Sequence, residues 1–355
     1  MQTVLQLPPR KDNPRNSEGD FIELYDGRLL FIYTHFTKGD DDHAGAFLAG
    51  RYSEDGGETW TGSDIAVISN EGKLNVMSVS LVRLKDDRIA LFYMRKHSLS
   101  DCRPVVRFSG DEAETWSDSK CIIPDSETGY YVLNNDRAFQ LASGRLIIPV
   151  SRHDTPQGRW TGASMYGTIM CCYSDDAGCT WRRSRTQPDG VLPEGTEKDR
   201  IMLQEPGIAE LKDGRLMMFC RTDSGSQYVS FSNDRGESWT VFKRSNIISP
   251  RSPASIKRIP RTGDLILVWN NHMNISRDLK DKRTPLCAAV SRDEGMTWEN
   301  VKELENNPNR WYCYTAVYFS GDNVLLAYCA GDRRKNNGLA ETHIVRFPLE
   351  WLYSD

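Results

Sequence analysis

One short motif recurs along the whole chain and limits the folds that are open to it. The pattern Ser-x-Asp-x-Gly-x-Thr/Ser-Trp, called here the turn motif, begins at Ser53, Ser174, Ser232 and Ser291, and a copy at Ser109 has alanine in place of the glycine. Successive copies lie roughly 60 residues apart, a period typical of propellers and solenoids. The sequence therefore predicts a ring or stack built from one repeated unit.

The residue types of the turn motif suit a tight turn. Aspartate and serine side chains bond backbone N–H groups within a turn, and glycine allows a positive φ there. The tryptophan can anchor the turn by packing between neighbouring sheets. We therefore assign the turn motif a structural role, with no part in chemistry.

A second repeated pattern places a polar turn before an apolar strand, as in DGRLLFIY and DGRLMMFC. It occurs six times, with the turns at Asp26, Asp86, Ser143, Asp213, Thr262 and Ser320. A shorter run with apolar positions precedes each turn, and a strand, a turn and a second strand make a β-hairpin. Six hairpins with five turn motifs between them predict an all-β fold, a six-bladed β-propeller with four-stranded antiparallel blades.

The chain reads as one domain over residues 1–355, since helical periodicity is nearly absent and no linker divides it. The terminal segments TVLQL and THIVRF are expected to share one blade, because an open ring would leave edge strands unpaired. Neither a membrane span nor a nucleic-acid partner is expected. The chain has no apolar stretch of about 20 residues, and its net charge of −4 comes without a run of Lys or Arg.

The compartment and the oligomeric state stay open. The first residues lack the pattern of a signal peptide, which predicts a cytoplasmic protein if the chain is complete and a periplasmic or secreted one if a signal was removed. Nine cysteines, an odd number, show no framework spacing. We expect reduced, mostly buried thiols, which favours a reducing compartment.

The turn motifs on a six-bladed plan resemble the sialidase (neuraminidase) superfamily, in which this motif is known as the Asp box, and the resemblance covers essentially the whole chain. Non-enzymatic propellers carry the motif too, so function must be argued from the site. The resemblance implies three arginines that hold a sugar carboxylate, a Tyr–Glu pair that serves as nucleophile and base, and an aspartate that serves as acid and base.

The fourth hairpin gives the best match to this set. Its segment EPGIAELKDGRLMMFCR begins at Glu205 and ends at Arg221. The resemblance implies that Glu205 is the catalytic base and that Arg221 is the second arginine of the carboxylate clamp. Arg283, just before the strand that enters the last turn motif, matches the third arginine.

The segment RWYCYTAVYFSGDNVLLAY of the sixth hairpin resembles the sialidase segment that carries the nucleophile. Counted back from its turn, Tyr312 occupies the repeat position of Glu205, and we expect it to be the nucleophile. Tyr314 is two residues further on and can share its face, so it remains the alternative. Either tyrosine could instead be a wall residue of the pocket.

The first hairpin departs from the family pattern. Sialidases have Arg-Ile-Pro at the first inner strand, whereas this chain has NPRNSEGDFIEL. Arg15 is the nearest arginine, with Arg10 as the fallback. Glu18 falls at the repeat position of Glu205 and is expected to face the centre and bind substrate. The departure leaves the identity of the sugar open.

The acid/base aspartate is expected in the loop between the first hairpin and the first turn motif. Three consecutive acids stand there, at Asp40, Asp41 and Asp42. Asp41 fits best by its distance from the turn motif, and Asp42 is the second choice. A run of three acids can also be a solvated loop tip.

Other polar residues begin or end inner strands and could read sugar hydroxyls. Asp136 and Arg137 are expected to bind substrate. The remaining candidates are His35, Arg95, Asn134, Asn135, Arg152 and His272. The histidines belong to different blades and lack ligand spacing, so we expect no metal and no other cofactor.

Together these residues predict a retaining exo-glycosidase that removes a terminal acidic sugar, sialic acid or a related keto-acid sugar, from a glycan. A tyrosine nucleophile suits a sugar with a carboxylate on its anomeric carbon, because an anionic glutamate would be repelled as it approached. Two alternatives remain. One is a hydrolase of the same fold that acts on a different sugar, and the other is a non-catalytic propeller that binds glycans or proteins.

Overall fold

The computed structural model describes residues 1–191 and 199–354. Regular structure in these ranges consists of β-strands and short 3₁₀ turns. The first strands are β1 (Gln2–Leu7), β2 (Arg15–Glu23), β3 (Leu29–Phe36), β4 (Ala46–Ser53), β5 (Ile65–Ile68), β6 (Asn75–Arg83), β7 (Ile89–Ser98), β8 (Asp101–Ser109) and β9 (Lys120–Cys121). The middle strands are β10 (Tyr130–Val132), β11 (Phe139–Gln140), β12 (Leu146–His153), β13 (Thr168–Ser174), β14 (Arg182–Arg183), β15 (Gln204–Glu210), β16 (Leu216–Arg221), β17 (Ser226–Ser232) and β18 (Lys243–Ile248).

The last strands are β19 (Ser255–Arg258), β20 (Leu265–Asn270), β21 (Leu286–Ser291), β22 (Glu299–Glu305), β23 (Cys313–Ser320), β24 (Asn323–Cys329) and β25 (Thr342–Pro348). The 3₁₀ turns include Asp125–Glu127, Pro156–Gly158, Ala163–Met165, Arg333–Lys335 and Leu349–Leu352. No helix in the described ranges is long and apolar enough to cross a membrane.

The strands form antiparallel four-stranded sheets, in the orders β2-β3-β4-β5, β15-β16-β17-β18 and β19-β20-β21-β22. A larger sheet joins β6–β9 to β10–β14 through a parallel bridge between β8 and β10. The remaining sheet has the order β1-β25-β24-β23. The two ends of the chain therefore pair in one sheet, as the sequence predicts, and the fold is all-β.

Neighbouring sheets pack through their first strands, which the hairpins place on one side of each sheet. β2 lies against β6 and β23, and β19 lies against β15 and β23. The apolar core fills the space between adjacent sheets. Ile32 of β3, for example, shares a cluster with Leu91 of β7 and Val105 of β8. The inner strands of distant repeats are thereby brought together, which is what positions the site.

The turn motifs make the hydrogen bonds that their residue types predict. In the second complete copy, Asp176 Oδ1 accepts from the backbone N–H of Thr180 at 2.7 Å, and the Ser174 hydroxyl accepts from the N–H of Gly178 at 2.8 Å. Gly178 has a φ of 88°, and a Cβ there would lie 2.4 Å from the ring of Phe108. Glycine is required at this position by both backbone conformation and space.

Candidate functional site

The same backbone irregularity interrupts four of the inner strands. The pairing register shifts within β2, β6, β15 and β23, and one non-glycine residue in each shift has a positive φ. These residues are Glu18 at 56°, Ser78 at 61°, Glu205 at 51° and Tyr314 at 56°. Such bulges bend a strand and re-aim a side chain, and the left-handed conformation costs about 1–3 kcal/mol at each residue. Backbone strain that recurs at equivalent positions of four inner strands is typical of a functional site.

Tyr314, and not Tyr312, occupies the repeat position of Glu205. The count back from the turn fails because the two hairpin loops differ in length. The last strand pair before the loop is Glu210 with Leu216 in one hairpin but Ser320 with Asn323 in the other. β23 therefore runs further toward its turn than β15 does. The shorter loop brings the bulge of β23 closer along the chain to its turn residues, so a count back from the turn gives Tyr312 in place of Tyr314.

Tyr312 lies in the core beside the site. It is 1% exposed and its ring packs edge-on against Tyr328, with the centroids 6.1 Å apart. Burial and the nearby Glu305 raise the pKa of the Tyr312 hydroxyl. The structure thus brings Tyr314 to Glu205, whereas it places Tyr312 in an apolar cluster.

Tyr314, Glu205 and Arg221 form a continuous hydrogen-bonded chain. The Tyr314 hydroxyl donates to Glu205 Oε1 at 2.8 Å, and Arg221 Nη1 donates to Glu205 Oε2 at 2.7 Å. Glu205 is 9% exposed and Arg221 is 7% exposed, while Tyr314 is partly exposed. Hydrogen bonds to a charged acceptor at these distances are of the strong kind. The carboxylate is therefore oriented by an arginine on one side and a phenol on the other.

The charges around Glu205 set its ionisation. Burial raises the pKa of Glu205, but Arg221 and Arg283 outweigh it and the net direction is downward. Burial and the Glu205 carboxylate raise the pKa of Tyr314. The pair at neutral pH is thus an ionised carboxylate and a neutral phenol whose proton already points at that carboxylate. This is the protonation state in which a general base can activate a nucleophile.

Arg283 stands over the ring of Tyr314. Its guanidinium carbon lies 5.3 Å from the Tyr314 ring centroid and 4.9 Å from that of Trp311. Arg283 Nη1 donates to Cys313 Sγ at 3.0 Å. Burial raises the pKa of the Cys313 thiol, but Cys329 and then Arg283 lower it to about 7. Arg283 is held by two aromatic faces and a sulfur, with no carboxylate partner among the described residues.

These groups line one cavity of about 380 Å³, a size suited to a small molecule. Its charged and polar lining includes Glu18, Asp42, Ser78, Lys96, Glu205, Arg221, Arg283 and Tyr314. Tyr130, His153 and Trp160 supply aromatic walls. Lys96, Ser78 and His153 were not found from the sequence. Lys96 follows an apolar run within β7, a pattern that is equally typical of a strand that leaves the core.

Arg15 lies against the cavity with its donors already engaged. It is 1% exposed, and its Nε donates to Ser17 Oγ at 3.0 Å. Nη1 donates to Asp42 Oδ1 at 2.6 Å and Nη2 to Glu18 Oε1 at 3.1 Å. Both carboxylates line the cavity. The sequence predicted that Arg15, Arg221 and Arg283 hold the carboxylate of the substrate together. In the structure, the guanidinium of Arg15 is hydrogen-bonded to two carboxylates of the protein itself.

The three loop acids have different positions. Asp42 lines the cavity and Asp41 accepts from the N–H of His43 at 2.8 Å, while the backbone carbonyl of Asp40 accepts from Arg15 Nη1 at 3.2 Å. Burial raises the pKa of Asp42, but Arg15 and Lys96 lower it to about 2. Asp42 is the loop acid that lines the cavity, and in the free protein it is ionised.

Asp136 and Arg137 belong to a second cavity, of about 430 Å³, and not to the one lined by Glu205. Asp136 Oδ2 accepts from the N–H of Val317 at 2.8 Å and Oδ1 pairs with Lys257 at 2.5 Å. Arg137 Nη2 donates to the carbonyl of Ala254 at 2.6 Å. These bonds tie inner strands together, so the geometry gives both residues a structural position.

The other polar candidates are dispersed. Asn134 lines the first cavity and Asn135 donates to the carbonyl of Tyr314 at 3.0 Å. His35 bonds Asp64, and His272 bonds backbone carbonyls. Within residues 1–191 and 199–354, no group of three or more His, Cys, Asp or Glu side chains is arranged to hold a metal ion.

The repeats, the sheets and this cavity together define a sialidase-like protein of the turn-motif repeat class. Residues 48–326 match the family described as "BNR repeat-like domain", and the chain belongs to that family. A search of the curated proteins gave no match.

Solved structures confirm the fold at low identity. A Hadza microbial sialidase is 16% identical with a TM-score of 0.74, over 96% of this chain and 66% of its own. A Dyadobacter fermentans protein of unknown function is 16% identical with a TM-score of 0.75, over 98% of this chain and 99% of its own. The Trypanosoma rangeli sialidase in complex with 2,3-difluorosialic acid, described as a covalent intermediate, is 16% identical with a TM-score of 0.69, over 99% of this chain and 57% of its own.

Proposed function

We propose that this protein is a retaining exo-glycoside hydrolase that removes a terminal acidic sugar from a glycan. The observation that carries the proposal is the chain of hydrogen bonds from Tyr314 through Glu205 to Arg221 inside a cavity of sugar size. A phenol aimed at an ionised carboxylate is an activated nucleophile. The proposal includes a six-bladed propeller, which the order of the sheets and the six hairpins support.

Tyr314 acts as the nucleophile in this proposal. Its Oη attacks the anomeric carbon while its proton passes to Glu205 Oε1, and the bond from that carbon to the leaving-group oxygen breaks. A covalent glycosyl-tyrosine results, and water then releases the sugar with retention of configuration. A neutral phenol can approach an anomeric carbon that carries a carboxylate, whereas an anionic carboxylate nucleophile would be repelled.

Arg221 and Arg283 bind the sugar carboxylate. Both line the cavity, and both flank the Tyr314–Glu205 pair. Arg221 donates a hydrogen bond from Nη1 to Glu205, and no other described group accepts from its guanidinium, so its other N–H groups can bind the substrate. Arginine suits this role because it keeps its charge and offers parallel donors to a carboxylate.

Asp42 is the proposed general acid, with Asp41 as the alternative. Asp42 lines the cavity, but its pKa of about 2 leaves it without a proton in the free protein. A substrate that separates Asp42 from Arg15 removes the strongest interaction that lowers this pKa. The pKa then rises toward its ordinary value.

One observation favours a second candidate, a hydrolase of the same fold that acts on a different sugar. Glu18 and Asp42 take up the guanidinium of Arg15, so only two arginines remain to hold a carboxylate. This departure from the three arginines that the sialidase resemblance implies motivates an acidic sugar other than sialic acid, such as a uronic sugar, as the substrate. Both candidates share the Tyr314–Glu205 pair and differ only in the substrate.

A screen of aryl glycosides tests the proposal. The panel contains glycosides of sialic acid, of a second keto-acid sugar, of a uronic acid and of a neutral hexose, and the release of the aryl group is measured for the wild-type protein and for Tyr314→Phe. We expect release from at least one acidic glycoside and none from the neutral one, and loss of that release in Tyr314→Phe. Binding of the glycosides without any release would favour the non-catalytic propeller.

A further inference from the structure

Glu18 is the acidic group that departs most from what a carboxylate-binding pocket requires. It is 5% exposed, it lines the cavity with Arg221 and Arg283, and it sits in the strained bulge of β2 with a φ of 56°. A buried acid in a site for an anionic ligand costs binding energy through repulsion. Glu18 is paired with Arg15, yet it still lines the cavity, so a ligand meets it there.

The partners of Glu18 fix its carboxylate and leave acceptor capacity. Oε1 accepts from Arg15 Nη2 at 3.1 Å and Oε2 accepts from the Ser78 hydroxyl at 2.5 Å. Ser78 occupies the corresponding bulge of β6, with a φ of 61°. Burial raises the pKa of Glu18 against the opposing effect of Arg15. The ionised form has about four acceptor sites, so each of its oxygens can accept one more hydrogen bond from a ligand in the cavity.

The cations on this side of the cavity are turned toward other partners. Arg15 is 1% exposed and its donors go to Ser17, Glu18 and Asp42. Lys96 lines the cavity, but its ammonium donates to the carbonyl of Asp42 at 2.5 Å. A ligand group that faces β2 therefore meets the oxygens of Glu18 in place of the guanidinium of Arg15.

We infer that Glu18 determines specificity: the site takes an acidic sugar whose ring carries a hydrogen-bond donor, a hydroxyl or an ammonium group, on the side that faces β2. This inference rests on the proposed function, because Arg221 and Arg283 must hold the carboxylate of the same sugar. A second anion at that position is rejected by Glu18, while a donor completes its unfilled acceptor sites.

Three small ring compounds test the inference by binding alone. They are cyclohexanecarboxylate, cis-3-aminocyclohexanecarboxylate and cyclohexane-1,3-dicarboxylate, titrated at millimolar concentration and followed by ligand-observed NMR. We expect the wild-type protein to bind the amino compound most tightly and the dicarboxylate most weakly. In Glu18→Gln, which keeps the shape and removes the charge, the preference for the amino compound over the dicarboxylate should fall about 10-fold or more, equivalent to about 1.4 kcal/mol.

Two further variants separate this inference from the proposed function. Glu23→Gln, an exposed change at the outer end of the same strand, should keep the wild-type order of affinities. Arg283→Gln should weaken all three compounds. If Arg283→Gln weakens all three but Glu18→Gln leaves their ratios unchanged, only the role of Glu18 is overturned. If Arg283→Gln weakens none of them, the carboxylate clamp fails, and the absence of any binding to the wild-type protein contradicts both. Circular dichroism of each variant excludes unfolding as the cause.

Discussion

The hydroxyl of Tyr314 donates a 2.8 Å hydrogen bond to Oε1 of Glu205, a residue 109 positions away in the chain. Both residues occupy the bulge of an inner strand, one in β23 and the other in β15. The two residues are in contact because they occupy equivalent positions in the repeat, and the inner strands of different sheets lie next to one another. A bulge can re-aim a side chain, and both residues have the positive φ of such a bulge.

Tyr314→Phe and Glu205→Gln should each lower turnover of an acidic glycoside by about 10²-fold to 10⁴-fold, the range expected for the loss of a positioned base or its partner. The effect should lie in kcat more than in stability. Tyr318→Phe is the matched control, since it removes a hydroxyl on the same strand that bonds Glu23 at the far end. Steady-state kinetics and thermal melts of all three variants provide the measurement.

Tyr312→Phe distinguishes between the two tyrosines. Because Tyr312 packs in the core and contacts Tyr328, its loss should leave kcat within a few fold of wild type. A loss of turnover in Tyr312→Phe as large as that in Tyr314→Phe, with the melting temperature unchanged, would count against Tyr314 as the nucleophile.

Asp42→Ala should abolish hydrolysis of a natural glycoside but spare the bond-breaking step for an aryl glycoside with a good leaving group, because that group departs without a proton. A positioned general acid typically supplies about 10²-fold to 10⁴-fold. Asp41→Ala should affect both substrates little, since Asp41 caps the backbone of His43. Equal wild-type rates on the natural glycoside in both variants would place the acid elsewhere.

Arg283→Lys should weaken binding of a carboxylate-bearing substrate or inhibitor by about 10-fold to 100-fold, corresponding to the loss of hydrogen bonds to a charged group. Lysine keeps the positive charge but loses the planar array of donors. The measurement is the inhibition constant for an acidic sugar and for its methyl ester. The variant should lose discrimination between the two, and retention of the full preference for the acid would show that Arg283 does not contact the carboxylate.

The turn motifs should make the protein sensitive to acid. Bonds from the Thr180 hydroxyl and backbone, then from Ser174, lower the pKa of Asp176 to about 2. A carboxyl whose folded pKa is lowered contributes stability above its ordinary pKa near 4, and this contribution is lost as the pH falls through about 2. The melting temperature should therefore drop between pH 4 and pH 2. In Asp176→Asn, but not in the control Asp118→Asn, the drop across this window should be smaller.

The fold could be predicted from the sequence because its signals are local and repeated. Each turn motif contains the residues that make its own hydrogen bonds, and each hairpin can be recognised from a polar turn that precedes an apolar strand. The pairing of the two chain ends follows from the need to cover edge strands. The join between β8 and β10 was not predictable, since it is a single parallel bridge between Cys102 and Tyr130 with no pattern of its own.

The site could be predicted only in part. Glu205 and Arg221 lie on one hairpin, so their spacing along the chain carried the information. The assignment of Tyr312 to the position of Glu205 was wrong because it depended on loop length, which the polar turn residues do not reveal. The engagement of Arg15 by Glu18 and Asp42 depends on side-chain directions in a bulge and a loop, which no periodicity specifies.

Trapping the covalent intermediate tests directly whether Tyr314 is the nucleophile. The protein is incubated with 2,3-difluorosialic acid, the compound bound in the Trypanosoma rangeli sialidase structure, and with a 2-fluoro analogue of any acidic sugar whose aryl glycoside it cleaves. Intact-mass spectrometry followed by peptide mapping then locates the adduct. We expect one sugar attached to the peptide that contains Tyr314, and no adduct in Tyr314→Phe. An adduct on Glu205, Glu18 or Tyr312, or turnover of an acidic glycoside with no trapped species from either compound, would contradict this assignment.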